Sequence, residues 1–184
     1  PSPFWVSYPA MISLAGGIPK IVRMTRKEGF KLTPTKLKKA LTTRTKAILL
    51  NSPSNPTGAT YTREELMALV PILEKKNVWI LSDDAYYKIL YNGLTFSSIA
   101  QLSKKMFERT FIFRTCSKSY AMTGWRVGSV TGPAEIMKGI GILQSQSTSG
   151  VNGMAQKGAV VALSGAQSED GVRAMIKEFD RRRQ

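Results

Sequence analysis

The sequence predicts an α/β fold, a mostly parallel sheet flanked by helices, because short apolar runs alternate with helix-periodic segments. Three runs carry that expectation: Ala47-Ile48-Leu49-Leu50, Val78-Trp79-Ile80-Leu81 and Phe111-Ile112-Phe113. Brief, continuous apolar stretches of this kind suit strands buried on both faces. The segments between them are long enough for the crossover helices that parallel pairing requires. A chain of 184 residues with 42% hydrophobic and 9% aromatic content can also bury the core of one globular unit.

The first strand stops at Asn51, and residues 52–58, rich in Ser, Pro, Asn and Gly, read as a turn. Thr62-Arg63-Glu64-Glu65 matches a capping box, and behind it Leu66, Leu69, Val70 and Leu73 recur at helical spacing. The second strand stops at Ser82-Asp83 and the third just before Thr115. Residues 127–130 read as a fourth strand, followed by a Gly132-Pro133 break and a helix over about 134–145. Two more helices are expected, over 153–163 and from about 169 to 183; the last carries Val172, Met175, Ile176 and Phe179 on one face. There is no internal repeat.

Composition removes several function classes. Histidine is absent, which excludes His-based triads and His-ligated metals, and no metal is expected. The single cysteine, Cys116, allows no intrachain disulfide and reads as a small packed residue. A reducing compartment is the default, so a cytoplasmic location is expected, with organellar targeting left open. No apolar run approaches the roughly 20 residues that cross a bilayer. The net charge of +15 comes from 27 Lys and Arg against 12 Asp and Glu, spread along the chain with no aromatic-interleaved stripe. It is read as solvated surface rather than a nucleic-acid site. The chain starts Pro1-Ser2-Pro3 without methionine and finishes Arg181-Arg182-Arg183-Gln184, and both ends are expected to be cut.

In parallel sheets, ligands gather at the carboxyl ends of strands. Residues 51–55, Asp83 and residues 115–118 all lie just past such ends, so they can converge although far apart in sequence. Lys118, among hydroxyls and small residues after an apolar strand, suits covalent binding of an aldehyde. Plainer readings stand beside these. Lys118 can be a solvated lysine, Asp83 a cap for a following helix, and Asn55-Pro56-Thr57-Gly58 a turn. Arg126 can be a surface ion-pair partner, and Trp5 ordinary packing.

Three segments in order, Asn51-Ser52-Pro53-Ser54-Asn55-Pro56-Thr57-Gly58, Ser82-Asp83-Asp84-Ala85-Tyr86 and Ser117-Lys118 through Gly124-Trp125-Arg126-Val127-Gly128, resemble the class I/II aminotransferases of the aspartate aminotransferase family. The resemblance implies the fold type I architecture of enzymes dependent on pyridoxal 5′-phosphate, here the central part of the large domain. It implies Lys118 as the Schiff-base lysine that also shuttles a proton, Asp83 as the partner of the pyridine nitrogen, and Asn55 and Tyr86 as donors to the phenolic oxygen. Arg126, Thr115 and Ser117 would bind the phosphate, and Trp5 would stack on the ring. Thr115 stands where many relatives carry serine, and Asp84 replaces the more common glutamate.

The implied activity is amino-group transfer from an aspartate- or glutamate-like amino acid to a 2-oxo acid. A non-catalytic cofactor-binding regulator and a β-elimination lyase are the alternatives on the same fold. The implied organisation is a partial cofactor domain over 1–167 and, over 168–184, the start of a helix leading to a small domain. Family members carry an upstream phosphate loop and a downstream arginine for the substrate carboxylate, neither of which is in this sequence. The full-length protein is expected to be a homodimer, with no membrane partner.

Overall fold

The computed structural model describes residues 1–184. Its helices are α1 (Ser7–Leu14), α2 (Pro34–Ala40), α3 (Arg63–Glu74), α4 (Lys104–Arg109), α5 (Cys116–Ser119), α6 (Ala134–Ser147), α7 (Gly153–Ser164) and α8 (Ala166–Arg183). Four strands, β1 (Ala47–Asn51), β2 (Trp79–Asp83), β3 (Thr110–Thr115) and β4 (Gly128–Thr131), form one sheet in the order β1-β2-β3-β4. The first three are parallel and β4 adds antiparallel to β3. All four expected strands and the mostly parallel pairing are therefore present.

The helix α3 forms for the reasons its sequence gives. Thr62 Oγ1 accepts the Glu65 amide at 3.3 Å, and a Glu65 carboxylate oxygen accepts the Thr62 amide at 2.8 Å. Two amides that the first turn leaves without partners are satisfied reciprocally. Its apolar stripe then buries Leu66, Leu69, Val70 and Leu73 against Leu50 and Ile80 of the sheet, with Leu37 of α2 and Met106 of α4 closing the same cluster. The opposite face of the sheet is more open: Trp79 and Phe113 stay 39% and 40% exposed.

A second, smaller cluster joins Cys116 and Met122 to Ala159 and Ala162 of α7. The approach there is close, because a Cβ on Gly158 would meet Trp125 Cζ3 at 2.7 Å. The helix α8 begins at Ala166, three residues before its expected start, since only Gly165 separates it from α7. No helix is long and apolar enough to cross a membrane.

Candidate active site

The carboxyl ends of β1, β2 and β3 lie side by side, with Asn51 opposite Asp83 and Asp83 opposite Phe113. That alignment builds a first group of side chains. Asn51 donates its amide to the Asp83 carbonyl at 2.9 Å and accepts the Asn55 amide at 2.7 Å, so the strand end itself holds the turn that carries Asn55. The turn closes through Gly58, whose φ of 69° favours glycine, as its amide reaches Ser54 O at 2.7 Å. Asn55 Nδ2 then points at the Tyr86 hydroxyl, 3.5 Å away.

The Asp83 carboxylate is fixed at both oxygens. Oδ1 accepts the Ala85 amide at 3.1 Å, and Oδ2 accepts the hydroxyl of Tyr8 from α1. Burial of Tyr8 raises its pKa, and the bond to Asp83 and that carboxylate's charge raise it further, so the phenol stays a donor at neutral pH. The Trp5 ring meets the Tyr8 ring edge-on, centroids 5.5 Å apart and planes at 87°. Trp5, itself 41% exposed, is thereby linked to Asp83 through Tyr8.

A second group sits where β3 ends and the chain turns into the single-turn α5. Thr115 Oγ1 accepts the Ser117 amide at 3.1 Å and donates to Val127 O at 3.2 Å, tying β3 to the approach of β4. Thr123 Oγ1 donates to Ser117 O at 3.0 Å, and Arg126 Nη1 donates to Thr123 O at 3.1 Å. Arg126 has a left-handed backbone, φ 56°, an uncommon and costly state for a side-chain-bearing residue. The Lys118 and Arg126 side chains are exposed. Burial raises the Cys116 thiol pKa, which suits a packed residue rather than a nucleophile.

The two groups are stitched together. Ser119, fully buried, donates to the Ala85 carbonyl at 3.4 Å, and the Tyr87 and Tyr120 hydroxyls lie 3.5 Å apart. The turn carrying Lys118 is thus bonded to the turn that follows Asp83. Asp83 does accept a nearby amide, as its plainer reading required, but residues 84–87 form a turn and no helix follows. Sequence reasoning placed Asn51 among the converging strand ends without giving it a role, and missed Tyr8, Ser119 and Thr123. Tyr8 stands three residues after Trp5, a helical spacing that would have paired them.

The family model for aminotransferase class I and II matches residues 1–184. The aspartate/prephenate aminotransferase of Cereibacter sphaeroides is 49% identical over 168 residues, 91% of this chain and 42% of that protein. The aspartate aminotransferase of Geobacillus stearothermophilus is 46% identical over 182 residues, 99% of this chain and 46% of that protein. Among solved structures, the aspartate aminotransferase of Rhizobium meliloti superposes with a TM-score of 0.95 at 41% identity, over 100% of this chain and 46% of that one. The aromatic aminotransferase of Pyrococcus horikoshii gives 0.96 at 37% identity, over 100% and 49%. The chain therefore spans a little under half the length of these relatives. On the matched family model and these identities, it belongs to the class I and II aminotransferases.

Proposed function

We propose that this chain is the cofactor-binding part of an aminotransferase that uses pyridoxal 5′-phosphate and is anchored to it through Lys118. The observation that carries the reading is Asp83: a half-buried carboxylate at the end of a parallel strand, held by Tyr8 and by the amide of Ala85, whose carbonyl accepts Ser119 from the Lys118 turn. The donor set fits the cofactor. A carboxylate suits a protonated ring nitrogen, an amine suits an aldehyde, and a guanidinium with two hydroxyls suits a phosphate dianion. When bound, the cofactor supplies an electron sink for charge developing at the amino acid Cα.

The chain's own residues do the remaining work. Asp83 would keep the ring nitrogen protonated, and Tyr8 holds that carboxylate in one orientation. Asn55 and Tyr86 would donate to the phenolic oxygen. Arg126, Thr115 and Ser117 would take the phosphate, and Trp5 would stack on the ring. Lys118 Nζ accepts and returns a proton as general base and acid. Aspartate and prephenate as substrates follow from the names of the relatives, with glutamate the alternative amino donor. Residues 1–167 then make the cofactor domain, taking in the first residues of α8, and 168–184 continue that helix toward a second, smaller one.

Exposed Ile142, Leu143, Val160, Val161 and Leu163 on α6 and α7 support association of two copies in the full-length protein. A cytoplasmic location goes with this reading. The test is a half-reaction: cofactor-loaded protein mixed with aspartate or glutamate should release one equivalent of 2-oxo acid. Cofactor binding with no 2-oxo acid from any amino acid points instead to a regulatory domain. Elimination from a β-substituted amino acid without transamination points to a lyase.

A further inference from the structure

Behind Asp83, on the opposite face of the sheet, lies a charged pair that the proposed chemistry does not use. Asp84 is 1% exposed. Its Oδ1 accepts the Ser82 hydroxyl at 2.7 Å, but its Oδ2 has no hydrogen-bond partner. Arg114 Nε, 4.0 Å from that oxygen, is shielded and without a partner, while the rest of the Arg114 side chain is 40% exposed, so the buried charge is that of Asp84. Buried charges are normally paired and hydrogen-bonded, and a pair held just out of reach costs stability. A buried polar atom left without a partner in a native structure calls for an explanation.

The connections of this pair lead to both halves of the candidate site. The Asp84 amide donates to Phe113 O at 2.9 Å, locking the end of β2 to β3. The Arg114 guanidinium carbon lies 4.3 Å from the Tyr87 ring centroid, and the Tyr87 hydroxyl is 3.5 Å from that of Tyr120, two residues past Lys118. Side chains alternate across a strand, so Ser82, Asp84 and Arg114 share one face while Asp83 faces the other.

We propose that Asp84 and Arg114 form a positioning pair that aims the Asp83 carboxylate, and the Lys118 turn with it, from behind the sheet. The pair is electrostatic: Arg114 holds Asp84 through charge, and Asp84 holds the backbone from which Asp83 projects. This rests on the cofactor reading for one of its two readouts only. The other is the Tyr8 ring, which reports the Asp83 carboxylate with no cofactor present.

The experiment compares the full chain with its Asp84→Asn, Asp84→Glu and Arg114→Met variants. In the cofactor-free protein, carbon-labelled tyrosine NMR follows the Tyr8 signal, assigned by its loss in Tyr8→Phe. Both Asp84→Asn and Arg114→Met should shift that signal. They should also weaken pyridoxal phosphate binding about tenfold, the scale of losing an outer partner of a site ligand. The binding is read from tryptophan fluorescence, and Asp84→Asn should not lower the melting temperature at neutral pH. Asp84→Glu, longer by one methylene, should restore both the signal and the affinity. An unmoved Tyr8 signal in both charge-removing variants would overturn the proposal, as would unchanged affinity in folded Asp84→Asn. A wild-type chain that binds no cofactor would refute the cofactor reading, and the Tyr8 signal would then decide the pair by itself.

Discussion

Replacing Asp84 with asparagine should make the protein more stable at neutral pH and leave it unchanged in mild acid. Burial pushes the Asp84 carboxyl pKa up to about 6; the Ser82 hydroxyl and Arg114 pull it back down, and Asp83 adds to the rise. In the unfolded chain the same carboxyl titrates near 3.9. Between those values the folded state holds a proton that the unfolded state has lost, so stability falls as pH rises from about 4 to about 6. At about 1.36 kcal/mol per pH unit, a gap of roughly two units costs about 3 kcal/mol once Asp84 is charged.

Asparagine keeps the shape and can still accept the Ser82 hydroxyl, but it does not titrate. The stability difference between variant and wild type should therefore grow from near zero at pH 4 to about 3 kcal/mol at pH 7. Urea unfolding followed by tryptophan fluorescence across that range measures it. Every other carboxyl is common to both proteins and cancels. Parallel pH profiles, or a variant that loses stability toward pH 7, would refute the reasoning.

Three further substitutions probe other parts of the structure. Tyr8→Phe removes the hydroxyl that holds Asp83; because that carboxylate is half-buried and can turn to water, unfolding stability should drop only about 1 kcal/mol, while cofactor affinity measured by titration falls. Arg126→Gly relieves a left-handed backbone, φ 56°, and should leave the chemical denaturation midpoint equal or higher, by up to about 1 kcal/mol; the same variant should lose affinity for pyridoxal phosphate. Leu69→Ala empties a position that is 0% exposed in the main core and should cost about 3 kcal/mol in urea unfolding, with cofactor affinity unchanged under conditions where the protein stays folded.

Local signals were legible in the sequence wherever one mechanism dominated. The three apolar runs became the parallel strands, although one face of the sheet stays more open than continuous apolar runs imply, and Thr62 to Glu65 capped α3 because both halves of the box are present. Elements held by tertiary contact gave weaker signals. The helix α1 carries apolar residues on every side and a proline at position 9, so no amphipathic period marks it. For α2 the mark was there, Thr33 before Pro34, a cap followed by the proline favoured at a first helical position. The candidate site divides in the same way. Asp83, Asn55 and Lys118 follow strand ends and could be placed by chain order. Tyr8 and Ser119 act through bonds spanning 75 and 34 residues, which no local pattern reveals. The Asp84–Arg114 gap of 4.0 Å joins residues 30 apart and needs coordinates to be seen.

The most direct test is borohydride reduction of the protein incubated with pyridoxal phosphate, followed by peptide mapping of the modified lysine. The expected result is a single pyridoxyl label on Lys118, lost in Lys118→Ala. Label spread over the chain's other lysines, or undiminished in Lys118→Ala, would contradict the assignment of Lys118 and the assembled cofactor site around it.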